Sequence, residues 1–289
     1  MTRQLAAIAH ARRDFWLCLA RAFAPPAGGD YHTAFAEDLP ADLAAIAAEI
    51  GLELTAQIDA FRAAAARAED AQALQKLYAG LFLTPPAPVM INAGYYIDGG
   101  LMGATEKALN EWYGRHGFAR HEHFRDLSDT VAVQCEFLSL LYDKAGTAAE
   151  ADEDLEAMAY IGEAERFLAE YPRRWVTPML RELEAAVERR DLNPAYAHLL
   201  RVLWLAVEDA VTRAGSRIEK AQSADLPKGS SRGMGALTAE DLAEIAFWLE
   251  RDGLAWDHVA ALEGWDDAVF ERRRAEAGTA MGKARTALD

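Results

Sequence analysis

Runs of β-branched residues long enough to form a strand are nearly absent from this chain, and apolar residues recur instead at helical spacing. That periodicity excludes sheet-based folds and calls for helices that bury one face against each other. Leu5, Ile8, Phe15, Trp16, Leu19 and Phe23 share one broad face of an opening helix. Pro25-Pro26 stops it, because proline has no amide hydrogen and clashes with the preceding turn. Alanine-rich helices are expected over 41–50 and 55–68, parted by Gly51. Segment 70–83 ends in an apolar cluster of Leu77, Tyr78, Leu81 and Phe82, and Thr84-Pro85-Pro86 breaks it. Helices resume from Thr105 to Gly117 and from Val131 to Lys144, the second with Asp126 or Ser128 placed to cap it. Another covers 151–170, and Pro172 opens one that carries Trp175, Met179 and Leu183. Asn193-Pro194 then pairs an N-cap with a first-turn proline. It introduces the cleanest stripe in the chain: Tyr196, Leu199, Leu200, Leu203, Trp204, Val207 and Val211. The expectation is an all-α fold with a single helical bundle over 1–221.

Two segments depart from the helical pattern. Residues 84–103, TPPAPVMINAGYYIDGGLMG, hold three prolines, four glycines and the adjacent pair Tyr95 and Tyr96. They are too irregular for a continuous helix and too apolar for a solvated linker. A long irregular segment inside a helical domain is unusual and often functional. It can equally be an ordered crossover anchored by its tyrosines. The second segment, 222–235, is rich in Gly and Ser and reads as a flexible linker or loop. It leads to a C-terminal helical extension over 236–289, opened by the capping-box pattern Thr238 to Asp241. Trp16, Trp204 and Trp248 are expected in the core.

Composition narrows the partners. The 46 acidic residues outnumber 30 Lys and Arg, a formal charge of −16. That disfavours nucleic acid, which needs a basic face, and anionic membranes. It favours a partner carrying positive charge. No apolar run approaches the roughly 20 residues of a membrane span, and no secretory signal pattern stands at the N-terminus, so a cytoplasmic protein without membrane insertion is expected. Cys18 and Cys135 lie far apart and are expected as free thiols.

Motifs for catalysis are weak. His121-Glu122-His123, with His116 upstream, is the one metal-like cluster, but imidazoles two residues apart do not share a helical face. No nucleophile elbow, phosphate loop or dinucleotide fingerprint is present. Neither enzyme activity nor a cofactor is expected. An acidic helical bundle with aromatic residues and a long apolar loop suits capture of an apolar, basic-ended segment. A metal-dependent enzyme built on His116, His121 and His123 is one competing reading, and an adaptor acting through the tail is another.

Several motifs in order resemble the TorD/DmsD/NarJ redox-enzyme maturation chaperones. Leu77-Tyr-Ala-Gly-Leu-Phe82 is similar to the family's aromatic-x-x-Leu-Phe helix. The Pro/Tyr loop with Tyr95, Tyr96 and Asp98 follows it, and then come Trp112-Tyr113 and Gly117. Phe137-Leu138 and Phe167 to Trp175 resemble two later segments. Of the family's acidic-Pro-Asp-His signature only Asp129 is present, between Ser128 and Thr130, and Gln134 stands where a Glu is usual. The resemblance implies an all-helical fold of the TorD/DmsD type over roughly 1–220. It also implies a cytoplasmic chaperone, monomeric or homodimeric, that binds the twin-arginine leader or N-terminal segment of a molybdenum-containing oxidoreductase subunit. On this reading Tyr78, Leu81, Phe82, Tyr95, Tyr96 and Phe137 make apolar contact with the leader, and Asp98, Asp126 and Asp129 supply charge.

Overall fold

The computed structural model describes residues 2–27, 30–119 and 126–223. Among them the architecture is all-helical, with one isolated antiparallel bridge, Asn92 to Thr130, in place of any sheet. Met1–Ala221 form one compact unit. The expected extension over 236–289, Trp248 and all but the first two residues of the 222–235 linker lie outside the described residues.

The long opening helix α1 (Thr2–Phe23) packs along α8 (Val131–Glu150), and this pair is the spine of the bundle. Gly146 permits their close approach, because a Cβ there would collide with the His10 ring. Phe15, Leu19 and Phe23 are fully buried, as the spacing predicted. α2 (Tyr31–Thr33) runs through a π turn at Ala34–Asp38 into α3 (Leu39–Ile50), which ends at left-handed Gly51, φ 70°. α4 (Thr55–Ala65) stops three residues earlier than the alanine pattern suggests. α5 (Ala71–Tyr78) is capped by Asp70, whose side chain accepts from the Ala73 amide, and ends in a second π turn, Ala79–Leu83.

α7 (Ala104–Arg115), α9 (Asp154–Glu170), α10 (Pro172–Arg190) and α11 (Ala195–Ser223) complete the unit. α9 packs on α8 and α10. Asn193 caps the start of α11 by accepting from the Ala195 amide at 2.9 Å, as the Asn-Pro pair predicted. α11 reaches Ser223, so residues 222 and 223 of the expected linker are helical. Its Tyr196 is fully buried, with ring contacts to Phe23, Phe35, Tyr78 and Phe82.

Three local expectations need correction. The irregular segment contains a short helix, α6 (Ala93–Asp98), ended by left-handed Gly99 at φ 77°. α8 is capped by Thr130, not by Asp126 or Ser128, its hydroxyl accepting from the Val133 amide at 3.4 Å. It also continues to Glu150, six residues past Lys144. The helix begins at Val131, which puts Thr130 at the cap, while Asp126 accepts from the Leu127 amide and the Ser128 hydroxyl donates to Glu106.

Candidate functional site

Two backbone bonds first tie the irregular segment to the entry of α8. Val131 donates to the Ile91 carbonyl at 3.1 Å, and Ala93 donates to the Asp129 carbonyl at 2.9 Å. The fully buried Asp129 side chain completes the joint: one oxygen accepts from Asn92 Nδ2 at 2.7 Å, the other from the Gly94 amide at 2.8 Å. Gly94 is required here, since a Cβ would lie 2.8 Å from that second oxygen. Gln134 extends the network. Its Nε2 donates to the Asp129 carbonyl and its Oε1 accepts from Trp175 Nε1, both at 2.9 Å. Loop, α8 and α10 thus share one buried chain of satisfied polar groups, an arrangement that holds backbone geometry firmly.

The joint presents α6 at the surface. Tyr95 is 39% exposed and lies edge-on to the half-buried Tyr96, ring centroids 5.2 Å apart. The Tyr96 hydroxyl lies 3.0 Å from the Met90 carbonyl and 2.8 Å from a Glu182 carboxylate oxygen on α10. Burial and Glu182 together push its phenol well above the ordinary range. Asp98 closes α6 and accepts from both the amide and the hydroxyl of Thr105, each at 2.8 Å, so it caps α7 from outside. Leu83, Leu101 and Met102, at either end of the segment, are exposed as well. Among the described residues, four of the six exposed large apolar side chains fall between residues 83 and 102.

The remaining expected contact residues lie elsewhere. Tyr78, Leu81 and Phe82 are buried on the inner side of α5 and the π turn. Tyr78 donates to the Phe23 carbonyl at 3.0 Å, and burial pushes its phenol up. The loop leans on this layer through Val89, which donates to the Leu81 carbonyl at 3.2 Å. Phe137 is fully buried in a second aromatic cluster with Trp112, Tyr113, Phe118 and Phe167. Asp126 is exposed and accepts from the next amide, Leu127, at 2.8 Å. The structure therefore brings Tyr95, Tyr96 and Asp98 together at the surface, with Asp129 beneath them. Tyr78, Leu81, Phe82 and Phe137 are core.

His116 does structural work. Its ring stacks on Trp112, its Nε2 lies 3.3 Å from Glu163, and its carbonyl accepts from Lys144 at 2.7 Å. His121 and His123 lie outside the described residues, among which no group of three candidate ligands could hold a metal ion. Cys18 and Cys135 are both free. No described helix is long and apolar enough to cross a membrane.

Sequence reasoning passed over Asn92 and Glu182. Asn92 carried a signal, a lone amide in the apolar stretch Val89–Ala93. Glu182 carried none, being one of three glutamates interspersed with five arginines on that helix.

A family model described as the nitrate reductase delta subunit matches residues 34–181, just over half of the chain. The chain belongs to that family. It is a family of molybdoenzyme maturation chaperones, the group that the sequence motifs resemble. The stretch in common with the family runs from the first π turn to α10, so it takes in the loop, Asp129, Gln134 and Trp175. No curated protein and no solved structure gives a significant match to the chain.

Proposed function

We propose that this chain is a cytoplasmic, system-specific chaperone that binds the twin-arginine leader or N-terminal segment of a molybdenum-containing oxidoreductase subunit. It holds the apoenzyme for cofactor insertion before export or assembly, without turnover of its own. The observation that carries this reading is the exposed tyrosine of α6, held in place by a buried hydrogen-bond network inside a chaperone-family region. An apolar segment gains most from a binding face that is already ordered, because less conformational entropy is then lost on docking. Tyr95 and Tyr96, with the exposed Leu101 and Met102, supply that face. Asp98 and Asp126 contribute to the negative field that draws a basic-ended segment, and Asp129 acts by holding the loop. Tyr78, Leu81, Phe82 and Phe137 support the bundle under the site.

Calorimetric titration of the full chain with a leader peptide, at low and at high salt, tests this directly. Binding that weakens with salt is expected, because exposed charges are screened over about 8 Å at physiological ionic strength. Absence of binding to any molybdoenzyme leader would sink the reading.

A further inference from the structure

Around the tyrosine pair, the fold itself consumes two of the three nearby carboxylates. Asp129 spends both oxygens on Asn92 and Gly94, and Asp98 spends both on Thr105. Glu182 is different. Among the described residues no basic side chain pairs with it, although Glu184 and Glu208 in the same region pair with Arg201 and Arg173. Among the described residues its side chain's one hydrogen-bond partner is the Tyr96 hydroxyl, and that hydroxyl has a single hydrogen facing two acceptors, Glu182 and the Met90 carbonyl. The carboxylate is thus half-buried, held beside an ordered loop, and left with unused acceptor capacity. A carboxylate in that condition gains from a cationic partner brought by a ligand.

The surroundings select the kind of cation. Tyr96 links Glu182 to the exposed ring of Tyr95: its hydroxyl meets the carboxylate and its ring meets Tyr95. A guanidinium on an aliphatic stem suits such a place, because the planar head takes a carboxylate in two-point fashion while the stem lies along an aromatic face. We infer that Glu182, one residue beyond the family-matched stretch, reads an arginine of the bound segment, and that Asp129 acts only by positioning the loop. This rests on the leader-binding reading above.

The test is a thermodynamic cycle by calorimetry on the full chain. The probe is a synthetic peptide with paired arginines ahead of a leucine-rich stretch, and the same peptide with citrulline, the neutral isostere, at those arginines. The unaltered chain should bind the arginine peptide about tenfold more tightly than the citrulline peptide, the usual scale for a charge-assisted bond. Glu182→Gln keeps an acceptor for Tyr96, so its melting temperature should match that of the unaltered chain. In high salt, which screens the general field of exposed Asp98 and Asp126 but a half-buried pair much less, it should bind both peptides alike, near the weaker value. If Glu182→Gln still discriminates arginine from citrulline in high salt, the inference fails while leader binding stands. If the unaltered chain binds both peptides equally, the inference fails in the same way. If it binds neither, the functional reading fails with it.

Discussion

Two neighbouring regions, residues 71–83 and 84–103, carry the same kinds of side chain and use them in opposite ways. In the first, Tyr78, Leu81 and Phe82 point inward, and the Phe82 ring sits 5.1 Å from Tyr78 and 5.4 Å from Tyr196. In the second, Tyr95, Leu101 and Met102 stay exposed although the backbone that carries them is tied down by buried bonds. A regular helix satisfies its own amides and can turn an apolar face to the core. The irregular segment satisfies its amides through Asp129 and the bridge to Thr130. Its side chains are therefore left where that framework puts them. Aromatic residue type alone does not decide between core and contact surface.

The largest test of that contrast is Phe82→Ala. Emptying a buried aromatic site costs about 3–5 kcal/mol, which denaturant unfolding would register as a lower midpoint. Phe82 gives a leader no surface in this conformation, so the folded fraction should bind as before. A specific loss of binding with stability intact would break the contrast. Asp129→Ala comes next. It strands two buried donors, Asn92 Nδ2 and the Gly94 amide, at about 1–3 kcal/mol each. Faster hydrogen exchange should then be confined to residues 90–95. Asp129→Asn should fare little better, because it brings a donor to a place that needs two acceptors. Stability unchanged in both variants would mean that Asp129 acts as a surface charge after all.

Tyr95→Ala should leave stability within about 0.5 kcal/mol, as for most surface changes. It should weaken leader binding about tenfold, as expected for an aromatic anchor, read in the same titration. The smallest effect lies outside both regions, at Glu163. Burial raises its carboxyl, but the His116 hydrogen bond and Arg166 outweigh burial and hold it below the usual range. A depressed carboxyl adds stability above its unfolded value, about 4.3, and loses it as pH falls through the folded value. Glu163→Gln should therefore lower the melting temperature slightly at neutral pH, and the gap should close on acidification. A gap that persists in acid would show that the carboxylate charge contributes nothing.

Much of this was legible in the sequence. The helix-forming stripes predicted α1, α3, α10 and α11 closely, because each carries a start or stop signal locally: Pro25 and Gly51 end the first two, and Pro172 and Asn193-Pro194 open the others. The motif order pointed to the chaperone family, and the loop with its tyrosine pair stood out by composition. What stayed hidden were assignments that depend on distant partners. The family resemblance implied that Asp98 and Asp129 supply charge to a leader, yet both are bonded into the fold. The cap of α8 is Thr130 because Asp126 and Ser128 hold other partners, Leu127 and Glu106.

By itself the sequence determined that the chain is helical, where most helices begin and end, and to which family it belongs. Those properties rest on periodicity, on proline and glycine, and on local motif spacing, all of which act within a few turns of chain. Only the tertiary structure decided which aromatics are core, which carboxylates are consumed, and that Glu182 stands beside Tyr96 across 86 residues of sequence. Burial and hydrogen-bond satisfaction are properties of neighbours in space. A side chain of the same type has a different role according to which partner the fold brings to it.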